Sequence, residues 1–273
     1  MKANNLTISI PYKGCDKNCP YCVSRITGGV ETNLALMHAN IQKVLTLARS
    51  SQVTSVLLTG KGEPFLNYRE VLYFSGAFKE FPLEIQTNGK WLCRHRGTAF
   101  KDLSRNGMNV IAVSTDSPCE QNTSIKRISD AAHKYGMLLR ITLNVTKLLR
   151  RGGVWSAPLF EDMMRYCRDW NADQLTLRNV VTPNNADSSK ETMWIAAHSD
   201  PELYERLKSI AEGGFLIRTT PFGARIHDHG GIAVSYSDYC IQDVNNSEDI
   251  RSLIFQEDGH LYTSWNSRAS RLF

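Results

Sequence analysis

Strands alternating with helices along most of this 273-residue chain predict an α/β fold: a partial (β/α)6 barrel with a C-terminal, mainly antiparallel extension. Three observations carry that expectation. Segments rich in β-branched residues recur, each followed by a segment with helical spacing of apolar side chains. Two of the strands, Val53 to Leu58 and Met137 to Val145, are nearly all apolar, as strands covered on both faces must be. After Pro183 the alternation stops and short strand-like segments take over.

The elements follow in order. Leu6 to Ile10 alternates and reads as a first strand. Thr32 is the expected cap of a helix whose stripe is Leu34, Met37, Ile41, Val44, Leu45 and Ala48. Val53 to Leu58 is a second strand, Glu70 to Phe78 a helix, and Leu83 to Gln86 a third strand. Phe100 to Arg105 is a short helix stopped by Asn106 and Gly107, and Asn109 to Ser114 a fourth strand. Ser124 to Tyr135 is a helix ended by Gly136, and Met137 to Val145 a fifth strand. Phe160 to Trp170 is an amphipathic helix, and Gln174 to Arg178 begins a sixth strand. Beyond a polar loop (184–189), Ser199 to Ala211 is helical. Strand candidates then fall at Phe215 to Arg218, Ile232 to Ser235, Ser252 to Phe255 and His260 to Thr263. Gln256 to Gly259 is the hairpin turn joining the last two, marked by Asp258-Gly259. The expected division is a barrel over residues 1–183 and an extension, 184–273, packed on it.

Hydrophobic residues at 42% and charged residues at 22% are ordinary for a globular protein. No apolar run is long enough to cross a bilayer. No secretory segment is evident, and the cysteine count is odd at seven, so the expected compartment is the cytoplasm, with free thiols. A net charge of +5 suits a nucleotide-like ligand, but basic residues are scattered. The only tight groups are Arg94-His95-Arg96, Lys126-Arg127 and Arg150-Arg151; nucleic acid is not specifically indicated.

The chemistry concentrates in Cys15, Cys19 and Cys22, spaced C-x3-C-x2-C with Tyr21 before the third. Thiolates select zinc, copper(I) or iron–sulfur clusters. A structural zinc site wants four ligands and would need a distant fourth, such as Cys93, Cys119, Cys167, Cys240 or a histidine. That alternative describes a zinc-stabilised binding protein. Three local thiolates instead leave one corner of a cubane open to another ligand.

The triad resembles the cluster motif of radical S-adenosylmethionine (radical SAM) enzymes. Two further segments agree in order and separation. Gly60-Lys61-Gly62-Glu63-Pro64 resembles that superfamily's Gly-Gly-Glu-Pro motif with one inserted lysine, and Thr87-Asn88-Gly89 resembles the Thr-Asn-Gly that ends the third strand in several branches. All three motifs follow expected strands, where chemistry gathers in parallel barrels. The resemblance covers roughly residues 5 to 180 and implies the same partial barrel.

It also implies a [4Fe–4S] cluster on Cys15, Cys19 and Cys22, whose open iron chelates S-adenosylmethionine. Reductive cleavage then releases a 5′-deoxyadenosyl radical, with electrons from a donor such as flavodoxin or ferredoxin. Tyr21 matches a residue near the adenine, and Glu63 one that meets the methionyl amine. Gly60, Gly62 and Pro64 belong to the same turn, the glycines suiting close approach to a ligand or positive φ. Thr87 and Asn88 are candidates to touch cofactor or substrate. Ser114 and Asp116 end the fourth strand, a position facing the ribose or carboxylate of the cofactor; Asp116 has turn capping as its alternative. Arg140 and Asn144 share a face of the fifth strand, and Arg140, like Arg178 on the sixth, calls for a carboxylate partner.

His227-Asp228-His229 has metal-ligand residue types but no third ligand nearby, and reads as a solvated or substrate-facing loop. The other four cysteines are too dispersed for an auxiliary cluster. Cys119 and Cys240 are candidate catalytic thiols, with a small buried hydrophobe as the alternative. The expected substrate is a small or nucleotide-like molecule. Gln86-Thr87-Asn88-Gly89 is similar to 7-carboxy-7-deazaguanine synthases, while activation of a glycyl-radical partner and RNA modification stand as alternatives.

Overall fold

The computed structural model describes residues 2–95, 97–116, 122–150, 156–183, 186–220, 224–238, 250–265 and 267–273. Expectations resting on Arg96, Cys119, Arg151, Asn184, Asn185 and Cys240 lie outside them. Six strands follow one another in parallel: β1 (Ala3–Ser9), β2 (Ser55–Thr59), β3 (Leu83–Thr87), β4 (Met108–Thr115), β5 (Leu138–Val145) and β6 (Gln174–Asn179). The helices between them are α1 (Val23–Thr27), α2 (Leu34–Ser50), α3 (Tyr68–Ala77), α4 (Lys90–Arg94), α5 (Ala99–Arg105), α6 (Asn122–Lys134) and α7 (Ser156–Asp169). Then come α8 (Lys190–His198), α9 (Pro201–Glu212), β7 (Phe215–Thr219), β8 (Arg225–Asp228), β9 (Ala233–Ser237), β10 (Ile250–Phe255) and β11 (Leu261–Tyr262).

All these strands join one eleven-stranded sheet in the order β11-β10-β1-β2-β3-β4-β5-β6-β9-β8-β7. The fold is thus mixed α/β with a large, mostly parallel sheet. The antiparallel extension is present in β7–β8–β9 and β10–β11. It differs from expectation in joining the sheet edge to edge on both sides. β10 pairs parallel with β1, and β9 pairs parallel with β6.

The strands carry the core. Leu6, Ile8, Val56, Leu58, Ile85 and Ile111 are fully buried, alongside Met37 and Val44 of α2 and Phe74 of α3. Each such side chain contributes roughly 1.5–3 kcal/mol by leaving water. The α2 stripe follows the periodicity, but its cap is Asn33, whose side chain accepts from the Leu36 amide at 3.0 Å. Thr32 donates instead to Glu257 Oε2 at 3.1 Å. No helix among the described residues is long and apolar enough to cross a membrane.

Four elements, α1, α4, α8 and β8, had no forecast. α8 starts directly after the expected polar loop (184–189), on a reciprocal Ser189–Thr192 capping box. β8 occupies part of the expected His227 loop. His227 is buried, its Nδ1 without a hydrogen-bond partner, and His229 bonds the Ala211 carbonyl through Nε2 at 2.7 Å. Asp228 accepts from the Gly231 amide at 2.7 Å. The segment is a strand and its turn, held by packing, not a solvated loop.

Candidate active site

Parallel pairing brings the carboxyl ends of β1 to β6 to one rim of the sheet, and the loop after β1 lies there. Cys15, Cys19 and Cys22 line one cavity of about 240 Å³ with residues from every strand end from β2 to β6. Three thiols on one cavity suit a cluster, in which each thiolate takes a different iron. Burial pushes the Cys19 thiol up to about 11, with the Lys17 ammonium pulling the other way. Metal binding would have to displace that proton, since the ligand is the thiolate.

The loop is fastened on several sides. Asp16 accepts from Asn88 Nδ2 at 2.7 Å, and its carbonyl accepts from Lys90 Nζ at 2.8 Å. Lys17 pairs with Asp116 at 2.9 Å. Tyr21 donates its hydroxyl to Asp116, and Asn144 Nδ2 donates to both Tyr21 Oη (3.0 Å) and Asp116 (2.9 Å). Arg25, at the end of the loop, donates to the Cys19 carbonyl and to Asn18, and pairs with Glu191 of α8 at 2.6 Å. The Tyr21 ring packs 5.4 Å from Trp194 of the same helix. α8 is therefore part of the wall, and Ile195 faces the cavity.

Glu63 is a carboxylate on the cavity wall engaged at both oxygens. It is buried, and its Oε1 accepts from Thr87 Oγ1 (2.7 Å) and the Phe65 amide (3.2 Å), its Oε2 from the Asn88 amide (2.8 Å). Burial raises its pKa, and those three donors pull it back. It caps the 3-10 turn Pro64–Asn67 and still lines the cavity. Gly60 and Gly62 do not take positive φ. Their need is close approach within the protein. A Cβ on Gly62 would lie 2.1 Å from the Gly14 carbonyl and 2.9 Å from the Tyr12 ring, and one on Gly60 would lie 3.0 Å from the Ile10 carbonyl. The glycines let the turn after β2 lie flat on the cysteine loop, where the Glu63 amide donates to Gly14 at 3.0 Å.

Of the residues singled out from the sequence, Tyr21, Gly62, Glu63, Pro64, Thr87, Asn88, Ser114, Asn144 and Arg178 line the same cavity as the cysteines. Asp116 stands behind it, holding Tyr21 and Asn144. Gly60 is in the turn but not on the lining. Arg140 is elsewhere: its guanidinium engages Glu84 on β3 and Gln174 on β6. The carboxylate partner expected for it exists, but as a cross-strand pair. Among the described residues Arg178 has no such partner: its Nε is buried without a hydrogen bond, and the adjacent Asn179 Oδ1 likewise. Unspent donors and acceptors on a cavity wall fit a polar ligand.

Residues with a part in the site that the sequence did not assign to it include Asp16, Lys17, Arg25, Glu191, Trp194 and Glu257. The buried Glu257 accepts from Ser9 Oγ (3.1 Å), the Tyr12 amide (2.9 Å) and Thr32 Oγ1 (3.1 Å), tying the β10–β11 turn to the root of the cysteine loop. Its place in a polar turn gave no sign of this. The remaining described cysteines are not on the lining; burial pushes the Cys167 thiol up to about 12, and Cys93 contacts the Ser124 carbonyl.

Comparison with known proteins agrees with this geometry. A family model described as a 4Fe-4S single cluster domain matches residues 6–132. The chain is 26% identical over 234 residues to a probable dual-specificity RNA methyltransferase RlmN of Nocardioides sp., covering 72% of this chain and 58% of that protein. It is 31% identical over 91 residues to a 7-carboxy-7-deazaguanine synthase of Clostridium acetobutylicum, covering 33% of this chain and 40% of the relative. The chain thus aligns with only part of the length of either relative. Three thiols on one cavity, a glycine turn seated against their loop, and a carboxylate held by the Thr-Asn-Gly segment join with these matches in supporting the radical S-adenosylmethionine superfamily, which implies a [4Fe–4S] cluster and S-adenosylmethionine as cofactors.

Proposed function

We propose that this protein is an enzyme that reductively cleaves S-adenosylmethionine and abstracts hydrogen from a small, nucleotide-like substrate. The observation that carries the reading is the single cavity shared by Cys15, Cys19, Cys22, Glu63, Asn88 and Arg178. When bound, the cofactors supply an electron and a 5′-deoxyadenosyl radical able to attack an unactivated C–H bond. The chain's own residues bind, orient and shield.

Cys15, Cys19 and Cys22 hold the cluster. Asn88 Nδ2 lies 4.0 Å from the Cys15 sulfur, where an amide dipole would stabilise the more negative, reduced cluster. Glu63 offers remaining lone pairs to the methionyl ammonium, and its three internal donors fix the carboxylate beforehand. Arg178 would hold the methionyl carboxylate, a charge the guanidinium fork matches. Ser114 and Asn144 would serve the ribose, and Tyr21, braced by Asp116, the adenine. Ile195 and Trp194 of α8 keep water from the rim. A flavodoxin- or ferredoxin-like donor is expected at the exposed face of the cysteine loop.

The same arrangement supports curvature of the sheet toward a partial barrel, because β2 to β6 all reach one cavity and Arg140 on β5 reaches Glu84 on β3. We read residues 1–183 as that catalytic unit and 184–273 as an extension completing its rim.

Modification of RNA is the second reading, favoured by the 72% of this chain that aligns with the RlmN relative. Anaerobic reconstitution with iron and sulfide tests the main reading. About four irons and four acid-labile sulfides per chain, with release of 5′-deoxyadenosine on reduction, are expected. Turnover by Cys19→Ala, or zinc without sulfide, would overturn it. Transfer of label from S-adenosylmethionine into RNA, with none into small molecules, would select the second reading.

A further inference from the structure

Lys61, the residue inserted into the glycine turn, has no part in the cofactor contacts above. Its Nζ donates to Thr27 Oγ1 at 2.5 Å, and among the described residues it enters no ion pair. Glu257, whose carboxylate acts on Lys61 without a direct contact, spends its hydrogen bonds on Ser9, Tyr12 and Thr32. An ammonium has three donors, so two remain. A partly buried cation with no direct ion pair is costly, and an anion brought to it would offset that cost.

Lys61 stands on a shared wall. It lines the cofactor cavity and also a second cavity of about 280 Å³, between α1 and the segments beyond β6 and β11. That volume is near the lower end of small-ligand sites. Ile26 and Trp265 give it apolar walls, and Arg268, exposed, adds a second cation. Two carboxylates also line it. Asp258 is engaged by Tyr262 Oη (2.6 Å) and the His260 amide (3.0 Å), which leaves Asp187 as the available acid.

We propose that this second cavity is the substrate subsite, and that Lys61 anchors there the carboxylate or phosphate of a small acidic substrate, next to the cofactor. Lys61 is on this view a specificity-determining residue. The proposal rests on the radical SAM reading for the identity of the neighbouring cavity, and it adds the substrate's class.

The test uses anaerobically reconstituted protein with S-adenosylmethionine present, titrated calorimetrically with inorganic phosphate and, separately, benzoate. Preference for one distinguishes a phosphate from a carboxylate substrate. Lys61→Met should weaken the preferred probe by about tenfold or more, and Lys61→Arg should stay within about threefold of wild type, since one charge-assisted contact is removed in the first and kept in the second. Binding should also change the emission of Trp265, a response lost in Trp265→Phe. Should Lys61→Met fail to fold, Ile26→Trp, which fills the cavity from one of its apolar walls, should abolish probe binding. The proposal is overturned if neither probe binds, if Lys61→Met or Ile26→Trp binds as wild type does, or if affinity for S-adenosylmethionine falls by the same factor as for the probe. Release of 5′-deoxyadenosine without any probe checks the parent reading separately.

Discussion

The two edges of the sheet are built alike and used differently. At one edge, β10 and β11 add to β1, and the turn between them sends Glu257 into the root of the cysteine loop. At the other edge, β9, β8 and β7 add to β6, and every residue of β7 is exposed, Phe215 at 77%. The first edge holds the site and lines the second cavity; the second edge is held up by α9 beneath it. Strand addition alone does not make an extension functional. What matters is whether a buried polar group crosses from it to the catalytic loop.

That contrast can be broken at graded points. The largest effect is expected where the turn after β2 meets the cysteine loop. Gly62→Ala puts a methyl 2.1 Å from the Gly14 carbonyl, so the loop must move, and iron content after reconstitution should fall close to zero. Retention of a full cluster would show that the loop position is not critical. Next is Glu257→Ala, which strands three hydrogen-bond donors, two of them side chains, at the site-bearing edge. Urea unfolding should show a loss of about 2–4 kcal/mol, and cluster occupancy should drop with it.

The opposite edge should lose stability only. Asp200 caps α9 through the Leu203 amide at 3.0 Å and pairs with Arg150. Burial works to raise its pKa, but the Arg150 and Leu203 hydrogen bonds outweigh burial and hold the carboxyl below its ordinary 3.8. A depressed carboxyl stabilises the fold above its unfolded pKa, and this is lost as pH falls through the folded value. Asp200→Ala should therefore cost about 1–2 kcal/mol near neutrality. The ion-pair share of that cost should vanish on acidification below the folded pKa, and the iron content should match wild type. A loss of cluster here would erase the distinction between the edges. The smallest effect belongs to Phe215→Ser on β7, within about 0.5 kcal/mol by thermal or urea unfolding. A separate sharpening comes from Asn88→Ala, which removes an amide dipole beside Cys15 and should lower the cluster's reduction potential in an electrochemical titration.

Local patterns carried much of this molecule. The helical stripe of α2 and the apolar runs of β2 and β5 were readable because periodicity is a short-range property. Caps decided what periodicity did not: Asn33 rather than Thr32 starts α2, and Ser189 with Thr192 starts α8, a helix not expected from the sequence. His227 looked like part of a loop because its strand, β8, is short and pairs with β7 and β9 rather than showing its own alternation.

By itself the sequence determined the cysteine triad, the order of the three motifs and their seats after successive strands, since each is a matter of spacing along the chain. Tertiary structure alone decided that Arg140 spends its charge on Glu84, that Lys61 is left over on a wall shared by neighbouring cavities, and that a glutamate from the far end of the chain holds the cysteine loop. Those outcomes depend on which distant segments are buried together, and burial is settled by the whole sheet at once rather than by any neighbouring residues.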